Sequence, residues 1–139
     1  MKRYWKLSEV VCPHIERKLG VQAWSLIDPR LQSVMVWVRR EIDRPVIINN
    51  LEMRLTQRGV RCNMCSLVKA SKVDGRVYLS PHIFGAAMDF NVLGLTADEV
   101  RQWIFEHRDG LPYPVRLERD VTWVHLDVLN QGDEKIIWF

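Results

Sequence analysis

Three short segments in the C-terminal half alternate with a period of two, and each carries polar side chains on a face of its own. In 86–92, Ala86, Met88, Phe90 and Val92 fall on one side, and Ala87, Asp89 and Asn91 on the other. In 122–128, Val124, Leu126 and Val128 share a side with Thr122, while Trp123, His125 and Asp127 lie opposite. In 113–119, Tyr113, Val115 and Leu117 form the apolar side, with Arg116 and Glu118 opposite. Strand geometry enforces this sorting, because successive side chains point to opposite faces of a sheet. If the apolar sides pack on helices, the other sides combine into one surface presenting Asp89, His125, Asp127, Glu118 and Arg116. Exposure to solvent accounts for Arg and Glu there. It accounts less well for a Trp-x-His-x-Asp row.

The N-terminal part supplies the helices. Ser8 is the expected cap of a short helix through Cys12, and Pro13 starts a second that ends near Gly20. Asp28-Pro29 is a stronger start signal, followed by Leu31, Val34, Met35, Val38 and Ile42 at helical spacing. Arg44 to Ile48 reads as a buried strand, and Asn49 to Leu79 as a long segment without periodicity, of the kind that is usually functional or mobile. Thr96 to Glu99 is a capping box that opens a helix with Val100, Trp103, Ile104 and His107 on its inner stripe. Gly110 ends that helix, and Lys135 to Phe139 is a candidate last strand. Helices first and strands later predict an α+β domain, with the N-terminal helices on one face of an antiparallel sheet and the polar site on the other.

With 139 residues, 47% of them hydrophobic, the chain is expected to form one domain over 1–139. With 27% charged residues, 7 Gly and 6 Pro, it falls outside the compositions of disordered or collagen-like chains. No apolar run is long enough for a transmembrane segment. No signal-like stretch opens the chain, so synthesis in the cytoplasm is expected, with any action on a cell wall following release. The 20 Lys and Arg against 17 Asp and Glu give a net charge of +3, interleaved along the chain. That argues for no nucleic-acid partner and is compatible with acidic polymers such as cell wall. Cys12, Cys62 and Cys65 cannot all pair within one chain, so a disulfide scaffold is not expected. Cys62-Asn-Met-Cys65 has the spacing of a redox motif or half a zinc site; without a second pair, reduced thiols at a strand end are the simpler reading.

Ahead of the first alternating segment stands Ser80-Pro-His82-Ile-Phe-Gly85-Ala-Ala87-Met-Asp89. Gly85 permits a tight turn and Ala87 leaves space beside Asp89, which lets His82 fold back towards that carboxylate. His82, Asp89 and His125 are a donor set suited to Zn²⁺, and three protein ligands leave a fourth position for water, as in catalytic sites.

These residues resemble the zinc D-Ala-D-Ala carboxypeptidase family, whose fold is shared with the Hedgehog signalling domain. The family pattern S-x-H-x-x-G-x-A-x-D is matched by Ser80, His82, Gly85, Ala87 and Asp89, and its later W-x-H or H-x-D element by Trp123, His125 and Asp127. The small single-domain branch, common among phage and bacterial cell-wall enzymes, is the most similar. The resemblance implies a monomeric Zn²⁺ metallopeptidase of the endolysin or carboxypeptidase kind, with peptidoglycan peptides as substrate and His82, Asp89 and His125 as ligands. Arg58-Gly59-Val60-Arg61 is similar to the family's S-G-Y-R, which makes Arg61 a candidate partner for a substrate carboxylate or the oxyanion. Many members carry an acidic base three residues before the last His ligand, where this chain has Thr122. The acidic choices are then Glu118 and Asp120, with Glu118 preferred because alternation puts it on the ligand side. Asp127 is expected either to bond behind a ligand or to form a strand-end salt bridge, and Ser80 either to bond a ligand or to cap the turn. A non-catalytic zinc domain that binds cell wall or a protein is the competing expectation.

Overall fold

A computed structural model describes residues 1–70, 79–130 and 132–139. Expectations for 71–78, inside the segment read as aperiodic, lie outside the described residues. The first two helices are short, α1 (Leu7–Val10) and α2 (Pro13–Leu19), and α2 opens on Pro13, whose missing N–H costs nothing in a first turn. Ser8 does not cap α1. The helix begins at Leu7, and the Glu9 carboxylate accepts the Lys6 N–H at 2.7 Å, so the cap lies two residues upstream of the expected one. A 3-10 segment, Gly20–Leu26, leads to α3 (Pro29–Glu41). There the Asp28 side chain accepts the Arg30 N–H, satisfying one of the donors a helix start leaves unpaired. Leu31, Val34, Met35 and Val38 of α3 are all fully buried, as their spacing requires.

Among the described residues, five strands make one sheet: β1 (Val46–Ile47), β2 (Ala87–Val92), β3 (Val115–Leu117), β4 (Val124–Asp127) and β5 (Ile136–Trp138), in the order β1-β2-β4-β3-β5. The expectation of an antiparallel sheet needs correction. β1–β2, β2–β4 and β3–β4 are antiparallel, but β5 joins the outer edge of β3 in parallel, so the sheet is mixed. After β4 the chain turns back at Asn130, whose amide donates to the carbonyls of Val115 and Glu134, and this loop returns β5 in the direction of β3.

The predicted face sorting follows from the observed register. Met88 pairs with Leu126, Phe90 with Val124 and Leu117 with Leu126, all fully buried and joined with α3 residues in one core. Each such large side chain contributes about 1.5–3 kcal/mol by leaving water. Helix α5 (Ala97–Glu106) carries the expected reciprocal cap, with Glu99 N–H donating to Thr96 Oγ1 and Thr96 N–H to Glu99 Oε2, and it packs against β2 and β4. Its Arg101 is buried. The guanidinium donates to the carbonyls of Val121 and Trp123, and so fixes the approach to β4. The remaining short helix, α4 (Ser66–Ala70), follows Cys65. Among the described residues, no helix is long and apolar enough to cross a membrane.

Candidate metal centre

The antiparallel register of β2 and β4 sets Asp89 directly opposite His125, on the face away from the apolar core pairs. Their side chains meet, with His125 Nδ1 2.7 Å from Asp89 Oδ1. His82 comes from the turn before β2. Ser80 Oγ accepts the His82 N–H at 3.3 Å and Ser80 O accepts the Ile83 N–H at 2.9 Å, so Ser80 caps this turn and does not bond a ligand side chain. Gly85 closes it at φ 67°, where a Cβ would stand 1.8 Å from the Leu26 carbonyl oxygen; no other residue fits that approach. His82 Nε2 thereby lies 3.3 Å from both Asp89 Oδ2 and His125 Nδ1. All three residues are buried, and their donor atoms lie within 4.8 Å of one another. A tetrahedral ion with ligand bonds of about 2.0–2.1 Å spaces its donors roughly 3.3 Å apart.

The nitrogens that face away from this point are also engaged. His82 Nδ1 lies 3.0 Å from the Gly59 carbonyl oxygen, which can only accept, so the neutral ring keeps its proton there and turns the Nε2 lone pair inward. Burial pushes the His82 pKa down, which favours that neutral form. His125 has a carboxylate at each nitrogen, Asp89 at Nδ1 and Asp127 Oδ2 3.4 Å from Nε2. Burial opposes charge on this ring, but the two carboxylates outweigh it and push its pKa up to about 9. Burial likewise works against ionised Asp89, yet the His125 and His82 contacts hold its carboxyl well below the usual range. The two carboxylates thus favour positive charge on or beside the His125 ring. A proton on Nδ1 supplies it, and so would a divalent cation.

Around the trio, Asp127 forms the expected strand-end salt bridge with Arg116 and stands 3.4 Å behind His125 Nε2. It is fully buried, faces His125, and accepts two hydrogen bonds from Arg116 at 2.8 and 2.9 Å. Such a carboxylate behind a ligating imidazole orients the ring. Arg61 donates to Asp89 Oδ2 at 2.7 Å and to the Gln57 carbonyl, so it positions a ligand candidate directly. Glu118 sits 4.0 Å from His125 Nδ1 with its side chain about one-third exposed. Glu118, Arg61 and Trp123 line a cleft of about 420 Å³ together with the trio. Asp120 does not. It occupies a left-handed turn at φ 58° and borders a different groove, beside α5 and Trp138.

No family model, curated protein or solved structure matches the chain. Sequence reasoning did miss one group of donors. Cys12 and His14 come within reach of Cys62 and Cys65, which supplies the second half that the Cys-x-x-Cys motif lacked in sequence. Cys12-Pro-His14 was the available signal: two ligand types one residue apart, ahead of a helix.

Proposed function

We propose that this chain is a zinc-dependent peptidase that hydrolyses peptide bonds of peptidoglycan stem or cross-bridge peptides. The observation that carries the reading is the convergence of His82 Nε2, His125 Nδ1 and the Asp89 carboxylate, with the Gly59 carbonyl behind His82 and the Asp127 carboxylate behind His125, beside a cleft edged by Glu118. The choice of substrate rests on the sequence resemblance to zinc D-Ala-D-Ala carboxypeptidases.

A zinc ion held by the trio would act as a Lewis acid and lower the pKa of a bound water from about 15.7 towards about 7. Glu118 stands on the cleft side of the donors, where its carboxylate accepts the proton of the attacking water and returns it to the leaving amine. Arg61 spends Nε and Nη2 on Gln57 and Asp89, leaving Nη1 without a protein partner among the described residues. That group is the donor for a substrate carboxylate or the developing oxyanion, an interaction typically worth about 3 kcal/mol in the transition state. Asp127 keeps the His125 ring in place throughout.

The test is direct. The zinc-loaded chain is incubated with peptidoglycan and the products are read by mass spectrometry. Loss of a terminal residue marks a carboxypeptidase, and opened cross-bridges mark an endopeptidase. Full zinc content without any cleavage overturns the peptidase reading and favours the non-catalytic binding domain, for which Thr122 in the place of the family's usual acid is the supporting observation.

A further inference from the structure

We propose that Cys12, His14, Cys62 and Cys65 form a second, closed zinc site whose role is structural. All four are donors of the soft-to-borderline kind that selects zinc over magnesium or calcium. Their distances suit one tetrahedral ion. Cys62 Sγ and Cys65 Sγ lie 3.9 Å apart, and His14 Nδ1 lies 3.6 Å from Cys62 Sγ and 4.0 Å from Cys65 Sγ. Bonds of about 2.3 Å to sulfur and 2.0–2.1 Å to nitrogen give edges of roughly 3.8 Å between sulfurs and 3.6 Å between sulfur and nitrogen. Cys12 completes the group within the 4.8 Å limit that encloses all four donors. The thiols are free, and an S–S bond of about 2.0 Å is far shorter than the observed sulfur separation.

The backbone is arranged around sulfur as well. Met64 N–H points at Cys62 Sγ and Cys62 N–H at Cys65 Sγ, each at 3.4 Å, and such donors favour thiolate over thiol. Ordinary buried cysteines, packed as small hydrophobes, have no need of an imidazole and two N–H groups directed at them. With four protein ligands no position remains for water, which is the pattern of structural rather than catalytic zinc.

The fold supplies the two halves from opposite ends of a long sequence separation. Cys12 is the residue before α2 and His14 lies in its first turn, while Cys62 and Cys65 precede α4. A parallel bridge between Val11 and Val60 lays the halves side by side, with Cys12 N–H donating to Val60 O and Val60 N–H to Val10 O, both at 2.9 Å. The clamped strip, 58–62, also holds the first centre: the Gly59 carbonyl fixes His82, Arg61 binds Asp89, and Arg58 O accepts the Asp89 N–H at 2.8 Å. An ion joining Cys62 and Cys65 to the N-terminal helices would hold that strip in register with the catalytic donors.

The full chain, purified under reducing conditions and loaded with zinc, should contain two zinc ions. His125→Ala should retain one, and X-ray absorption at that remaining zinc should show three sulfur ligands at about 2.3 Å and one nitrogen. Cobalt replacement in the unmodified chain should give an intense sulfur-to-metal charge-transfer band, a readout that does not depend on any variant folding. Cys62→Ser with Cys65→Ser should remove that band and cut the zinc content to one or lower. Absence of the band, a zinc shell containing only nitrogen and oxygen, or a Cys62–Cys65 disulfide in the protein purified with zinc would overturn the proposal. Each of these results is independent of whether the chain cleaves peptides, so failure here is separable from failure of the peptidase reading.

Discussion

Asp89 and His125 are Cα partners across the β2–β4 ladder, and their side chains close to 2.7 Å. Because the contact is built into strand register, it does not depend on a loop finding its place. Replacing either residue should remove the first metal without dissolving the sheet. His125→Ala and Asp89→Asn are each expected to lower zinc content by one ion per chain while leaving the far-ultraviolet circular dichroism unchanged. Retention of full zinc in His125→Ala would refute the ligand assignment.

Strand alternation favours Glu118 over Asp120 as the base, and the two carboxylates stand in different places. Glu118 borders the cleft, whereas Asp120 borders the groove by α5. Glu118→Gln should keep zinc and lower kcat by about 10²–10⁴-fold, the usual range for a lost general acid-base group. Asp120→Asn should leave kcat within a few-fold of the parent. The opposite pattern in steady-state kinetics would make Asp120 the base.

How much of this is legible in the sequence depends on sequence distance. Local signals sufficed for α3, where Asp28-Pro29 and the Leu31 to Val38 spacing agree, and for α5, where Thr96 and Glu99 cap reciprocally. Alternation in β2 and β4 was enough to put Asp89 and His125 on one face. The direction of β5 was not available, since a three-residue strand carries no mark of its partner and the turn at Asn130 decides it. Nor was the thiol cluster, because Cys62 and His14 are 48 residues apart and meet only through the Val11–Val60 bridge. Arg101 lay hidden for a related reason: helical spacing offers it Asp98 as a partner, but its burial also takes the loop carbonyls at 121 and 123, which lie about twenty residues on.

The two imidazoles give the metal-free protein a stability optimum. The His125 pKa is raised to about 9, so its contribution is complete below its unfolded value of about 6.5 and is lost as pH rises through about 9. For His82, lowered by burial, the sign is reversed: the unfolded chain takes up a proton below about 6.5 that the native ring refuses, so stability falls towards acid. Thermal unfolding of the chelated protein should therefore peak near pH 6.5, with a loss of up to about 3 kcal/mol on the alkaline side. Zinc held at Nδ1 would stand in for that proton, so saturating zinc should abolish the alkaline decline. A flat profile between pH 6 and 9 without metal would contradict the His125 assignment.

Asp127 tests orientation apart from ligation. It touches no other member of the trio than His125, and its bidentate pairing with Arg116 gives it no freedom to turn inward. Asp127→Asn keeps an acceptor towards His125 Nε2 but gives up the charge, so zinc affinity should fall by about 10–100-fold, as for other carboxylates behind metal-bound histidines. Competition with a calibrated chelator measures this, and an unchanged affinity would reduce Asp127 to a salt-bridge partner of Arg116.

Gly59 is where the two donor groups share backbone. A Cβ built there would stand 2.0 Å from the Val10 carbonyl oxygen, and backbone atoms have no way to yield except by parting the 11–60 bridge. Gly59→Ala should cost about 1–3 kcal/mol or more by this overlap alone. Its effect should also reach both clusters, because the bridge aligns Cys12 with Cys62 while the Gly59 carbonyl holds His82 Nδ1. Zinc titration of the variant is expected to show weakened binding at the histidine-carboxylate and the cysteine-rich positions together. A variant that lost only heat stability, with both zinc affinities intact, would show that the strip merely packs and does not couple the two.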